Sequence, residues 1–288
     1  MEKLIRFANY AKLLGLLAIP TLFLDIRWLN IFWLFWLFSL VEVILKPRVT
    51  GQSFAMLAGM MILPLRYGKN MPNVDNYQPA AGYHLPFDGA WTVVNGSPYR
   101  AASHSWSIPS QRYAYDFIIL GANGQSYDGD EHDASSYHCY GQPVLAPADG
   151  EVAELLDGQP NSSIPGKGRA ECAAKDIRGN YLLLKHNDDE YSLLAHLQPH
   201  SLCVKLGERV RRGQMVARCG NSGNTSEPHL HYQLQKGASF SFSPGLPVRF
   251  DDIIRQPLAG YRDYDPRGAA ETPSADGYIA RGMLVQNA

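Results

Sequence analysis

The sequence predicts a mainly β fold, an antiparallel sheet, with an N-terminal α-helical transmembrane region. Three observations carry that expectation. Residues 7–65 are strongly apolar, whereas the chain after Tyr67 turns polar and rich in Gly, Pro, Asp and Tyr. In the polar part, short apolar runs alternate with turn signals. No amphipathic helix of convincing length interrupts those runs.

Taking the elements in order, Phe7–Leu24 is apolar, with Lys12 near one end and Pro20 inside. Trp28–Leu45 is nearly uncharged, and its 18 residues approach the roughly 20 that cross a bilayer. Trp28, Trp33 and Trp36 suit a membrane boundary or a lipid-facing surface, and Glu42 can reach the interface. Thr50–Leu65 is a shorter uncharged run, either a third crossing or an interfacial or docked helix. The repetition of apolar runs, without a small-residue cleavage pattern, favours a retained multi-pass anchor over residues 1–66 rather than a cleaved signal. Lys3, Arg6 and Lys12 favour a cytoplasmic N-terminus. Two crossings would return Lys46 and Arg48 to the cytoplasm, and a third would place the remainder outside. Charge alone leaves both open.

Residues 67–90, broken by Pro and Gly, read as a linker into a β domain over 91–250. Its expected strands are Tyr113–Leu120, Pro143–Ala146, Gly150–Leu156, Asn180–His186, Tyr191–Leu197, Gln214–Cys219 and His229–Gln235. The polar insert Gly121–Tyr140 is expected to shape a binding groove. The tail, 251–288, is charged and aperiodic; it is expected to supply at most an edge strand or short helix and to end in mobile residues.

A net charge of -1 and a pI near 6.7 give no reason to expect nucleic acid as a partner. Four cysteines, Cys139, Cys172, Cys203 and Cys219, contain no CxxC, which argues against a cysteine zinc cluster. Their even number suits disulfides, with Cys203 and Cys219 able to pair across the segment between them; buried free thiols are the alternative.

The chemistry concentrates in CGNSGNTSEPHLHYQL, residues 219–234. In a strand, side chains at i and i+2 leave one face. His229 and His231 therefore project together beside Gln233 onto a solvent-facing surface, while Leu230, Tyr232 and Leu234 turn to the core. Pro228 suits the start of a strand, and Gly220–Ser226 suits a sharp loop before it. Two imidazoles on one face begin a metal site; a hydrolytic zinc needs three protein ligands and an open position. Asp116 interrupts an apolar strand, so its carboxylate must be paired, hydrogen-bonded or metal-bound. His196 ends another apolar strand and, by alternation, shares a face with Ser192 and Leu194. His104 lies in a loop before the Asp116 strand. No HExxH occurs, which excludes the helical zinc site with a Glu base.

YSLLAHLQPHSLCVKLGERVRRGQMVARCGNSGNTSEPHLHYQL resembles the C-terminal half of a LytM/lysostaphin-like zinc metallopeptidase domain, peptidase family M23. Ala195–Leu197, Val204–Gln214, Gly220–Gly223 and His229–His231 match its elements in order. Upstream, Gly141–Val152 and Gly179–His186 match as well, so the resemblance covers roughly residues 95–245. It implies that His104, Asp116 and His231 bind one Zn²⁺ per chain, and that His196 and His229 face substrate and the activated water as acid and base. Which of the two is the base stays open. Many members place the first His and the Asp closer together than positions 104 and 116, so His132 and His138 in the insert are substitutes for His104. The implied activity is a membrane-anchored zinc endopeptidase acting on cross-links or stem peptides of peptidoglycan, or on another peptide substrate, with its domain outside a bacterial cell membrane. A catalytically inactive wall-binding or regulatory module is the second reading.

Overall fold

The computed structural model describes residues 2–166, 168–172, 174–275 and 277–288; Met1, Lys167, Ala173 and Asp276 lie outside the described residues. The chain divides into two units, Met1–Phe54 and Ala55–Ala288, and the division falls inside one helix.

The first unit contains helix α1 (Glu2–Ala11), two 3-10 helices (Lys12–Leu22 and Arg27–Phe38), helix α2 (Ser39–Leu45) and the start of helix α3 (Pro47–Tyr67). One helical stretch among the described residues, Arg27–Leu45, is long and apolar enough to cross a membrane, and none of it is buried. Twelve residues of 3-10 helix and seven of α-helix rise about 34 Å in all, enough for a hydrocarbon core of ~30 Å. Of the two or three crossings expected, one therefore has such a helix behind it among the described residues. Asn9 and Lys12 dilute the first run. The third run belongs to α3, whose buried Gly59 and Leu63 pack within the second unit, Gly59 against the Ser241 carbonyl. A side chain at Gly59 would strike that backbone.

The second unit is built on strands β1 (Trp91–Asn95), β2 (Tyr115–Ile118), β3 (Pro143–Leu145), β4 (Gly150–Leu156), β5 (Asn180–Lys185), β6 (Tyr191–Leu197), β7 (Arg209–Val210), β8 (Met215–Arg218), β9 (Leu230–Gln235), β10 (Gly245–Leu246), β11 (Ile253–Pro257) and β12 (Met283–Asn287). The large sheet runs β11-β12-β1-β2-β9-β6-β5-β4-β7, with β10 pairing β9, and every pairing is antiparallel. Strands β3 and β8 form a separate ribbon.

Alternation divides the side chains as a sheet must. Leu182, Leu184, Leu194, Leu230, Tyr232 and Leu234 enter the main core with Val93, Phe117 and the stacked Phe87–Trp91 pair. Tyr181, Leu183, Leu193 and Ala195 form a smaller cluster on the opposite face, with Phe240 packed against it. That second cluster shares the face onto which β9 projects His231, Gln233 and Gln235. The expected solvent-facing surface is therefore buried: every residue of β9 is covered, and His231 is only 5% exposed.

Two terminal segments also differ from expectation. Tyr83, Leu85 and Phe87, within the expected linker, are in the core. Glu190 holds the segment before them, accepting from Tyr77 and Tyr83 hydroxyls and from the amides of Ala80 and Ala81. The chain's end is paired rather than mobile: β12 lies between β11 and β1, Val285 is fully buried, and the Asn287 amide caps Leu85 and Phe87 carbonyls. Burying Met283 and Val285 and satisfying both strand edges outweighs the polar composition around them.

Candidate metal centre

Sheet register builds the site. Ala195 of β6, His231 of β9, Asp116 of β2 and Asn95 of β1 are successive cross-strand partners, so one row crosses four strands. Directly paired residues share a face, and their side chains meet. His231 Nδ1 lies 2.9 Å from Asp116 Oδ1. Asn95 Nδ2 donates to Asp116 Oδ2 at 2.9 Å. The loop between β1 and β2 brings His104 Nε2 to 3.2 Å from Asp116 Oδ2, with His104 Nδ1 3.0 Å from Ser105 Oγ. One ligand atom from each of His104, Asp116 and His231 fits within a 4.8 Å mutual distance.

His196 enters by a different device. Strict alternation would send it to the core with Ser192 and Leu194. The β5–β6 register slips between Asn180/Leu197 and Leu182/Leu194, so β6 carries one extra residue there. His196 takes φ = 61°, a left-handed conformation rare for a residue with a Cβ. Such a bulge re-aims a side chain. Here it turns the imidazole onto the site face, 4.6 Å from the His229 ring and 5.8 Å from the His231 ring between centroids, and returns Leu197 to the core. The conformation costs about 1–3 kcal/mol, a form of strain that clusters at functional sites.

Backbone carbonyls orient the two flanking rings. His196 Nδ1 lies 2.8 Å from the Ser222 carbonyl and His229 Nδ1 lies 2.8 Å from the Glu227 carbonyl. A carbonyl only accepts, so each Nδ1 carries a proton, and Nε2 is the atom left to face the cleft. His229 Nε2 is 3.7 Å from Asp116 Oδ1.

The electrostatics follow from burial. Burial would raise the Asp116 pKa, but the His104 and His229 imidazoles and the His104 hydrogen bond hold it well below the usual carboxylate range. Burial, then the nearby His229 and His231, hold the His196 pKa well below the ordinary imidazole value, against the opposing Ser222 hydrogen bond and Asp116 charge. His196 is therefore neutral near pH 7.

The donor set suits zinc. Tetrahedral ligands at ~2.0–2.1 Å from a metal stand about 3.3 Å apart, close to the His–Asp separations here. His231 adds a second argument: Asp116 Oδ1 faces its Nδ1 and Gln233 Oε1 lies 3.1 Å from its Nε2. One proton cannot serve both acceptors of a neutral ring, whereas a cation between His231 Nδ1 and Asp116 leaves that proton for Nε2.

All five side chains expected from sequence thus converge. The substitutes do not join them: His132 Nδ1 lies 2.8 Å from the Ile164 carbonyl, and His138 faces Asp128. The cleft above the site has a volume of about 260 Å³ and is lined by Ile177, Arg178, Thr225 and Phe240 besides the histidines. The insert 121–140 lines none of it; it packs elsewhere, with Ser126 donating to Glu227 at 3.1 Å. Groove formation falls instead to the connection between β4 and β5 and the loop after β8. Sequence reading also missed Asn95, a polar residue ending an apolar strand, which carries no signal until register is known. A larger groove of about 760 Å³ lies near the far edge of the sheet at Asp149, Lys185 and Arg209, outside the histidine cluster. The four cysteines are free thiols, so the expected Cys203–Cys219 disulfide is not formed: Cys219 is buried and Cys203 exposed, and buried Cys139 donates from Sγ to the Pro228 carbonyl.

Residues 131–242 match the family model described as peptidase family M23. That span includes His196, His229 and His231 and leaves His104 and Asp116 upstream. The murein hydrolase activator NlpD of Salmonella dublin is 34% identical over 178 residues, covering 55% of this chain and 46% of the relative. The peptidoglycan DD-endopeptidase ShyC of Vibrio cholerae serotype O1 is 32% identical over 94 residues, covering 33% of this chain and 17% of the relative. The chain thus spans less than half the length of these curated relatives. Among solved structures, the catalytic domain of the prophage-encoded M23 protein EnpA from Enterococcus faecalis aligns with a TM-score of 0.37 at 17% identity, covering 57% of this chain and 95% of that one. With His196, His229 and His231 inside the matched span, the chain carries a peptidase family M23 domain over residues 131–242.

Proposed function

We propose that this chain is a zinc metalloendopeptidase, anchored in a bacterial membrane, that hydrolyses peptide bonds in peptidoglycan cross-links or stem peptides. One observation carries the reading: His104, Asp116 and His231, from separate segments, bring three ligand atoms together while the Nε2 atoms of His196 and His229 have no backbone partner among the described residues. His104, Asp116 and His231 would hold the ion. Zinc bound there supplies Lewis acidity and lowers the pKa of a water molecule toward about 7.

The chain's own groups do the rest. Neutral His196 accepts a proton at Nε2 and, once charged, returns it to the departing amine. His229, its ring oriented by Glu227, donates or accepts at the same cleft and stabilises negative charge that develops on the substrate oxygen. Asn95 keeps the Asp116 carboxylate in one orientation. The connection between β4 and β5 shields the cleft from one side.

The Arg27–Leu45 helix, with Trp28, Leu37 and Ile44 exposed, supplies the anchor. A single crossing from an N-terminus held inside by Lys3, Arg6 and Lys12 puts the domain outside, in the compartment of the proposed substrate.

The similarity to a murein hydrolase activator favours a second reading, a regulatory module without hydrolysis of its own. The full chain in detergent, with its zinc content determined and incubated with purified cell-wall material, separates the two. Zinc near one equivalent and release of new amino groups, both lost in His231→Ala, support the enzyme. A zinc-free chain that releases none refutes it and supports the module.

A further inference from the structure

Strand β9 continues the face of His229 and His231 with two buried primary amides. Gln233 is 1% exposed and Gln235 fully buried. Side-chain amides are seldom so deeply covered without a task, because each must satisfy both a donor and an acceptor end. Here they form a chain. His231 Nε2 lies 3.1 Å from Gln233 Oε1, Gln233 Nε2 donates to Gln235 Oε1 at 2.6 Å, and Gln235 Nε2 donates to the Gly237 carbonyl at 2.8 Å.

The direction of this chain does not depend on how each amide was oriented. The Gly237 carbonyl can only accept, so Gln235 must present its NH₂ there and its oxygen toward Gln233. Gln233 must then present its NH₂ to Gln235 and its oxygen to His231. An amide oxygen only accepts, so His231 Nε2 must carry the proton. That leaves Nδ1, the atom facing Asp116, with a free lone pair.

We infer that Gln233 and Gln235 are positioning residues that select the His231 tautomer, transmitting the polarity of the Gly237 carbonyl through two amides to the metal-facing nitrogen. The inference rests on the reading of His231 as a metal ligand. Partners of this kind, holding the far nitrogen of a ligating histidine, typically alter metal affinity 10–100-fold. Gln233 touches His231 directly, whereas Gln235 acts only by fixing the orientation of Gln233. A packing role for Gln233 would be indifferent to Gln235.

The full chain in detergent, labelled with ¹⁵N-histidine and freed of metal by chelation, reports the proton position directly. With Asp116 alone acting on the ring, Nδ1 would be protonated and Nε2 bare; the relay requires a proton on Nε2. Zinc affinity by chelator competition is the second readout. Gln233→Leu is expected to weaken zinc 10–100-fold, and Gln235→Leu severalfold with Gln233 intact. Gln233→Glu, whose carboxylate accepts from His231 whatever Gln235 does but has no hydrogen to give Gln235, is expected to bind zinc more tightly than Gln233→Leu and to lose its sensitivity to Gln235→Leu. A bare Nε2 in the metal-free wild type overturns the inference, as does wild-type zinc affinity in both leucine variants. Should Gln233→Leu fail to fold, Gln235→Leu and the tautomer decide. A wild-type chain that binds no zinc, or a His231→Ala chain that binds it normally, removes the metal-site reading; the tautomer of the metal-free chain still judges the relay.

Discussion

His231 and Asp116 are direct cross-strand partners, with Nδ1 of one 2.9 Å from Oδ1 of the other, although 115 positions separate them in the chain. Strand pairing, not a loop, sets this distance. The two side chains therefore approach each other with the precision of the sheet, and the weakest-anchored donor is His104, which arrives on a loop.

Asn95 extends the same row and donates to Asp116 Oδ2. Asn95→Ala is expected to lower zinc affinity about 10–100-fold, while His231→Ala and Asp116→Ala lower it further. Chelator competition on the purified chain measures this. Equal affinity in Asn95→Ala and wild type would show that the row does not orient the carboxylate.

The bulge at His196 predicts an unusual separation of stability from activity. Asparagine tolerates φ near 60° better than most residues with a Cβ. His196→Asn is expected to lower kcat about 10²–10⁴-fold, the usual range for losing an acid–base group, with little loss of stability. His196→Val, β-branched at a positive φ, is expected to destabilise by at least about 1–3 kcal/mol. Wall-hydrolysis rates and melting temperatures together test both arms, and an active His196→Asn removes this residue from the chemistry.

The depressed pKa of His196 also fixes the sign of a pH effect in the metal-free chain. The unfolded imidazole titrates near about 6.5 and the native one well below that. Between the two values the unfolded state binds a proton that the native state does not, so stability falls as pH drops below about 6.5 and is flat above it. His186, whose pKa burial also lowers, acts in the same direction. Asp116 adds a further loss at lower pH, as its depressed native pKa is approached from above. Melting temperature from about pH 8 to about pH 2 is expected to follow this course, with a shallower slope below about pH 6.5 in His196→Asn. An unchanged slope would place the titration elsewhere.

Membrane orientation gives a fourth expectation. With one crossing at Arg27–Leu45, added protease should digest the β domain in intact cells whose outer barrier has been opened, and leave the first ~25 residues protected. Protection of the β domain under those conditions would put it on the cytoplasmic side and rule out peptidoglycan as its substrate.

Much of the site was legible in local pattern. HLH in an apolar strand marks two imidazoles on one face because the strand period is two. Asp116 stands out because a carboxylate inside YAYDFIIL needs a partner. The exceptions have physical causes. The bulge before Leu197 adds one residue to β6, which reverses the face that alternation assigns to His196. The pairing of β12 with β1 rescues a tail whose composition reads as mobile. Asn95 and the Gln233–Gln235 relay gain meaning only from which carbonyl or carboxylate lies opposite.

By itself the sequence determined the β strands, the apolar N-terminal region and the types of side chain available for chemistry, because periodicity and burial cost are local properties of the chain. Only tertiary structure decided that His104 reaches Asp116, that His196 turns onto the site face, that Ala55–Leu65 belongs to the second unit and that Arg27–Leu45 is the one stretch among the described residues whose helix is long and apolar enough to cross a membrane. These depend on register and packing between segments far apart in the chain, which no local period encodes.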